Sequence, residues 1–395
     1  MSQRPALILR SAGILAMVVF SAVAASSAAD RLSALRPVWE VVVPAPLADN
    51  AWRARAVLAI RRGDAPGALA AARRAVDSGP VDADSTDLLG TALLLANQPA
   101  AADRAFAVAG RMGWRSAATQ KYLMGQALAR DDYGQALMHL DALLRQSPQL
   151  AGDGAVMQPF EESGAARTAW IDMLERHPPW LGRYAREIEG LAPSLLRARG
   201  DILQALGRRG HKLDCETVGG IVTRLLTEGA AVSADALWRA HCPAQSQGLL
   251  GDGDFAETEL AHRDSLFSWA SPADSEVSVA IDPRAEPSDP RLVVASSAQF
   301  EREIVNRMIY LPPGRYTLHW RAITAQGRAT DRVRAVLSCR QQGVEPLATS
   351  LDQHSGVVAA PFSIDGECQA RWLSFRILPG ADKLRFGNVR IDPVH

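Results

Sequence analysis

The stretch "AWRARAVLAIRRGDAPGALAAARRAVDSGP", residues 51–80, decides the first half of the fold because it returns in phase. Shifted by 34 residues it falls on "LLGTALLLANQPAAADRAFAVAGRMGW", ending at Trp114, and shifted again on "MGQALARDDYGQALMHLDALLRQSP", ending at Pro148. The turn positions are Gly63, Asn97 and Asp131, residue types that tolerate a backbone bend. The small positions after the turn are Ala68, Ala102 and Ala136, which let one helix approach another closely. Ala72, Phe106 and Leu140, then Ala75, Ala109 and Leu143, supply the packing. Each unit thus reads as two amphipathic helices that cannot bury their apolar faces alone, so units stack.

This pattern closely resembles the tetratricopeptide repeat, with one departure: Ala72 stands where the family often has an aromatic residue. A fourth, degenerate unit follows if four residues are deleted, with Ala166, Trp170, Met173 and Pro178 in the corresponding places. "TVGGIVTRLLTEGAAVSADALWRAHC" repeats the theme with Gly229, Ala234 and Trp238. The resemblance implies a protein-binding concave face lined by the fifth residue of each clear repeat, here Arg53, Asp87 and Lys121. Asp87 interrupts the basic carboxylate clamp of the chaperone-type members; these three residues read either as a groove of mixed charge that holds a peptide partner or, the favoured reading, as solvated surface charges.

Near residue 251 the helical period gives way to alternation: "EVSVAID", "RLVVASS", "RYTLHWRAIT", "VRAVLSC", "ARWLSFRIL" and "KLRFGNVRID". Short alternating runs broken by Pro, Gly, Asp and Ser predict an antiparallel sandwich. In "YLPPGRYTLHW", residues 310–320, Tyr316, Leu318 and Trp320 fall on one face and Arg315, Thr317 and His319 on the other. This unit, with "GDGDF", "LFSW" and "NVRID", resembles the jelly-roll domains of carbohydrate-binding modules. That resemblance implies glycan binding, with Tyr316, Trp320 and Trp372 as candidate sugar platforms; aromatic residues on alternating strands also serve as core. The whole combination is similar to a group of bacterial envelope proteins of unassigned function, which implies an architecture and a compartment only.

The junction stretch "LLGDGDFAETEL", residues 249–260, carries the sharpest apparent site. Counted from Asp252, an EF-hand would need glycine at the sixth position and finds Glu257. A module-type structural calcium would use Asp254 or Glu257 with Asp392. Gly251, Gly253 and Ala256 match a dinucleotide-binding turn, yet no buried strand precedes them and the acids that follow would repel a pyrophosphate. The stretch is read as a solvated turn opening the sandwich, with no cofactor or metal. No hydrolase or protease motif is present, and no enzymatic activity is expected.

Composition bounds the rest. Hydrophobic residues make up 48% and charged residues 22% of 395, a globular balance. The formal net charge is zero, which argues against a nucleic-acid partner. "SAGILAMVVFSAVAASSAA", residues 11–29, is uncharged, follows Arg4 and Arg10, and carries Ala22 and Ala24 at A-x-A spacing. It reads equally as a cleaved secretory signal and a retained anchor, and either exports the remainder to the periplasm or its membrane face. In an oxidising compartment Cys215, Cys242, Cys339 and Cys368 are expected to pair, and three pairings are open. Nearest-neighbour pairing keeps each bridge in one region: Cys215 and Cys242 at adjoining ends of a helical hairpin, Cys339 and Cys368 across the sandwich.

The expected fold is therefore multidomain α + β, an α-solenoid followed by an all-β antiparallel sandwich. The segments are 1–29 signal or anchor, 30–48 linker, 49–182 repeats, 183–248 further hairpins and 249–395 sandwich. The leading functional expectation is a non-catalytic exported scaffold that binds a protein partner in the cell envelope, in polysaccharide assembly or export. The alternative is a carbohydrate-binding protein whose sandwich takes a glycan.

Overall fold

The computed structural model describes residues 4–272, 274–286, 289–339 and 342–394. The first three residues of the N-terminal segment and the last residue of the chain lie outside the described residues. Thirteen α-helices precede ten strands among the described residues. The chain divides into two compact units, Met1–Pro148 and Gln149–His395.

The first unit opens with α1 (Arg4–Leu35), of which Gly13–Leu35 is long and apolar enough to cross a membrane and has little buried surface. Three hairpins follow: α2 (Asn50–Arg61) with α3 (Ala65–Ser78), α4 (Ala83–Leu95) with α5 (Pro99–Met112), and α6 (Ala117–Leu128) with α7 (Tyr133–Gln146). The turn residues Gly63, Asn97 and Asp131 all adopt left-handed backbone, at φ 71°, 56° and 56°. That conformation ends one helix and lets the next fold back. Ala68, Ala102 and Ala136 are fully buried. In the second hairpin Gly90 makes room for the Phe106 ring, which a Cβ would overlap. Side-chain caps fix the helix starts: Asp64, Asp82, Ser116 and Asp132 each accept a backbone N–H three residues on. The start of α2 is served from α1 instead, because the buried Asp30 carboxylate accepts the Ala51 N–H at 2.8 Å and the Asn50 side-chain N–H at 2.9 Å.

The second unit begins with helices α8 (Gly154–Glu161), α9 (Gly164–Leu174), α10 (Leu181–Arg186), α11 (Pro193–Arg208), α12 (Cys215–Thr227) and α13 (Ala231–His241). The degenerate repeat is there: Ala166 and Trp170 are fully buried, and Trp170 stacks on Trp180. Gly229 turns α12 into α13 at φ 78°. The compact division falls at 148/149, and within the second unit the later helices pack on the sandwich segment. At Gly219 on α12 a Cβ would overlap the Asp264 carbonyl, and the Leu266 N–H donates to Thr223 Oγ1 at 3.2 Å.

The strands are β1 (Val277–Ile281), β2 (Leu292–Ser296), β3 (Arg302–Tyr310), β4 (Gly314–Thr324), β5 (Val333–Cys339), β6 (Gln342–Pro346), β7 (Ser350–Leu351), β8 (Val357–Ile364), β9 (Ala370–Ile377) and β10 (Leu384–Pro393). They form a six-stranded sheet, β1-β2-β10-β4-β8-β7, and a four-stranded sheet, β3-β9-β5-β6, all antiparallel. Successive long strands β3, β4, β5, β8, β9 and β10 cross from one sheet to the other, so the inner faces share one core. Trp320, Phe375 and Phe386 lie at its centre without exposed surface. The junction stretch belongs to this core: Leu250 and Phe255 are buried in it, and Gly253 accepts the Val389 N–H at 2.8 Å, at the irregularity of β10.

Both nearest-neighbour disulfides are formed. Cys215 and Cys242 join the start of α12 to the end of α13 with Cα atoms 5.7 Å apart, and Cys339 and Cys368 join β5 to the start of β9 at 6.3 Å.

Candidate functional site

The outer face of the four-stranded sheet collects an aromatic ring and a set of polar side chains. In β9 the inward residues Leu373, Phe375 and Ile377 have no exposed surface, so Trp372, Ser374 and Arg376 point the other way. Register then sets the rows: Met308, Trp372 and Ser338 lie abreast on β3, β9 and β5, and Asn306, Ser374 and Val336 form the next row. The result is a groove of about 260 Å³ walled by Arg263, Glu303, Asn306, Trp372, Ser374 and Arg376. A second hollow of about 640 Å³ adjoins it, sharing Trp372 and Ser338.

The polar groups are held in place before any ligand arrives. Arg263 donates to the Asn306 carbonyl at 3.2 Å and to its side-chain oxygen, and the Asn306 side-chain amide donates to Glu303. The Arg263 guanidinium lies 5.3 Å over the Trp372 ring. Burial lowers the Arg263 pKa, with Glu303 opposing. The Nε atoms of Arg263 and Arg376 are buried without a hydrogen-bond partner. An indole beside fixed donors and acceptors is the chemistry that holds a sugar, with the ring against C–H faces and the polar groups taking hydroxyls.

Of the three aromatics expected to bind sugar, only Trp372 lies on this face. Tyr316 and Trp320 are corrected to core residues. Their face of β4 turns into the sandwich, which leaves Tyr316 6% exposed with its O–H donating to the Pro312 carbonyl, and Trp320 with no exposed surface. The residues around Trp372 that sequence reasoning missed are Arg263, Glu303, Asn306, Ser374 and Arg376. Ser374 and Arg376 were available as the polar partners of Trp372 in "ARWLSFRIL". Glu303 and Asn306 sit on β3, whose alternation is broken by a register shift between Glu303 and Val305.

The three expected partner-binding residues stand at equivalent places on α2, α4 and α6, but their surroundings differ. Arg53 is taken up by Asp82 at 3.0 Å and by Asn50. Asp87 is largely buried, which raises its pKa, and accepts from Thr119 Oγ1 at 3.0 Å. Lys121 alone is exposed. Asp392, the outlying member of the calcium set, faces His319 at 3.3 Å and Arg390 at 3.1 Å. Among the described residues no three His, Cys, Asp or Glu side chains converge as a metal site.

No family model matches this chain, and no curated protein matches it. Among solved structures it is similar to the carbohydrate-binding module TmCBM61, determined in complex with β-1,4-galactotriose, at 13% identity and TM-score 0.27, covering 38% of this chain and 100% of that one. It is also similar to PilF of Pseudomonas aeruginosa, at 16% identity and TM-score 0.28, covering 49% of this chain and 92% of that one.

Proposed function

We propose that this protein is a non-catalytic, exported glycan-binding adaptor of the cell envelope, which takes a polysaccharide on the outer face of its four-stranded sheet. The observation that carries the reading is the groove around Trp372, where an accessible indole is bordered by Arg263, Glu303, Asn306, Ser374 and Arg376. The apolar helix α1 and the two disulfides support export to the periplasm or its membrane face. In this reading the helical repeats carry a protein partner, and α1 holds the protein at the membrane or directs its export.

Affinity electrophoresis of the full chain through gels containing bacterial envelope polysaccharides tests the proposal. Retardation by at least one polysaccharide that is abolished in Trp372→Ala supports it. Equal mobility in every gel, or retardation unchanged by Trp372→Ala, overturns it.

The scaffold reading keeps one observation of its own: Trp114, 48% exposed, stacks on His139 beside Met138, 47% exposed. Tryptophan and methionine are enriched at protein interfaces, which makes this pair a candidate contact for a partner. Pull-downs from envelope extracts with wild type and Trp114→Ala separate the two roles, because a partner retained by both proteins would place the interface elsewhere.

A further inference from the structure

Arg307 is on the wrong face of its strand for an arginine. Within β3 it lies opposite Leu373, between Val305 and Ile309, all three directed into the sandwich. It is 3% exposed, yet no carboxylate lies within ion-pair distance among the described residues, and its Nε has no hydrogen-bond partner. The guanidinium sits 5.2 Å over the Trp269 ring. Burial draws its pKa down to about 9, with Asp252 opposing, so it remains charged at neutral pH. A buried, unpaired guanidinium is costly, and a fold that keeps one commonly puts it to use.

Arg307 lines a cavity of about 240 Å³ at the end of the sandwich. The junction stretch builds one wall. Asp252 spends its carboxylate internally, accepting the Ala256 N–H at 2.8 Å, the Glu257 N–H at 3.0 Å and the Thr258 hydroxyl at 2.6 Å, so it is turned away from salt-bridging. Gly251 has φ 95°, and a Cβ there would meet the Gln245 carbonyl and approach Arg307 Nη1. Glycine therefore keeps the guanidinium open to the cavity. The wall also holds Asp264 and His262, paired at 3.4 Å, and the exposed Glu216, Glu257 and Glu259.

A cationic ligand is opposed by Arg307, and a bare anion is opposed by the surrounding acids. A ligand that carries a carboxylate and several hydroxyls suits both: the guanidinium takes the carboxylate through paired N–H donors, and the acids accept the hydroxyls. The volume is below that of drug-sized pockets, which fits a single sugar residue. We propose that this cavity is a second ligand site, separate from the Trp372 groove, that receives one uronic acid residue with its carboxylate on Arg307. The proposal takes from the polysaccharide reading only the source of the sugar, and free monosaccharides test the site directly.

The test is calorimetric titration of the full chain with galacturonate and glucuronate, with galactose, glucose and acetate as comparisons. Binding of a uronate that is at least about tenfold weaker in the apolar near-isostere Arg307→Met, and that neutral sugars do not match once the groove is removed by Trp372→Ala, supports the site. Trp372→Ala leaves that binding unchanged, which separates it from the groove. In wild type, uronate also shifts the Trp269 indole N–H resonance, a readout independent of whether Arg307→Met folds. The proposal is overturned if neutral sugars or acetate bind Trp372→Ala as well as the uronates do, if Arg307→Met binds uronate equally, or if the Trp269 resonance does not move.

Discussion

Trp320 and Trp372 are the same residue type in equally alternating strands, yet one is core and the other is surface. Alternation assigns side chains to two faces without saying which face is inward. For β4 the neighbours β8 and β10 turn Trp320 against Phe375, with ring centroids 5.4 Å apart. For β9 the core takes Leu373 and Phe375 and leaves Trp372 outside. The two substitutions should separate stability from binding. Trp320→Ala is expected to cost about 3–5 kcal/mol in urea denaturation, because it empties a filled core site. Trp372→Ala should cost much less while removing glycan retention; equal losses of stability would contradict the assignment of faces.

At the scale of elements, the hairpin helices were legible and four strands, β3, β6, β7 and β8, were not. Three turn residues at a spacing of 34 announced hairpins, and their left-handed backbone is what that spacing requires. β3 was hidden because its register shift interrupts the two-residue period, and because Arg307 occupies a core-facing position. β8 was hidden by Pro361, which is tolerated because β7 pairs only with Val358 and Ala359 and leaves that edge of β8 open.

Among the helices, Arg199 of α11 and Glu161 of α8 form an ion pair at 2.8 Å with no exposed side-chain surface, and Arg199 also lies 4.4 Å over the Tyr184 ring. Removing one partner strands the other charge. Arg199→Ala is expected to cost about 3–5 kcal/mol, whereas the Arg199→Met, Glu161→Met double variant should recover much of that loss in a denaturation cycle. If the double variant is no more stable than Arg199→Ala, an unpaired Glu161 is not the cause.

The end of α13 carries a pH-sensitive contact. His241 Nδ1 accepts the Leu213 N–H at 3.0 Å, which fixes Nε2 as the donor to the Leu203 carbonyl at 2.8 Å and the ring as neutral. Burial holds its pKa below the usual histidine range, with Lys212 adding to this and the Leu203 carbonyl opposing. The unfolded chain therefore takes up the proton first as pH falls. The stability contributed by this ring is fully present above the ordinary histidine pKa of about 6.5 and is lost as pH falls through the lower folded value. Denaturation between about pH 5 and 7.5 should show that slope in wild type and a shallower one in His241→Gln; parallel profiles would assign the slope to other groups.

For the molecule as a whole, each disulfide ties its own region: one closes a helical hairpin over 27 residues, the other joins two strands over 29. Removing either with a Cys→Ser pair is expected to lower stability by about 2–5 kcal/mol. Cys339 and Cys368 also border the hollow beside Trp372. Their loss should therefore weaken glycan retention, while loss of Cys215 and Cys242 should not; equal effects would argue that the bridges act on global stability alone.

The sequence by itself determined what rests on local periodicity and on the chemistry of neighbours in the chain: the helical hairpins and their turns, six of the antiparallel strands and the apolar leading segment; it left three cysteine pairings open, and the structure chose the nearest-neighbour one. It also assembled Asp87 with Arg53 and Lys121 at equivalent positions, without showing that Asp87 and Arg53 are consumed by their own neighbours. Only the tertiary structure decided which face of each strand is core, and so which aromatic is free. Only it placed Arg263 over Trp372 and brought the junction stretch against Arg307, 47 residues beyond the end of that stretch. Those encounters depend on register between distant strands and on burial, and neither quantity is written in a local pattern.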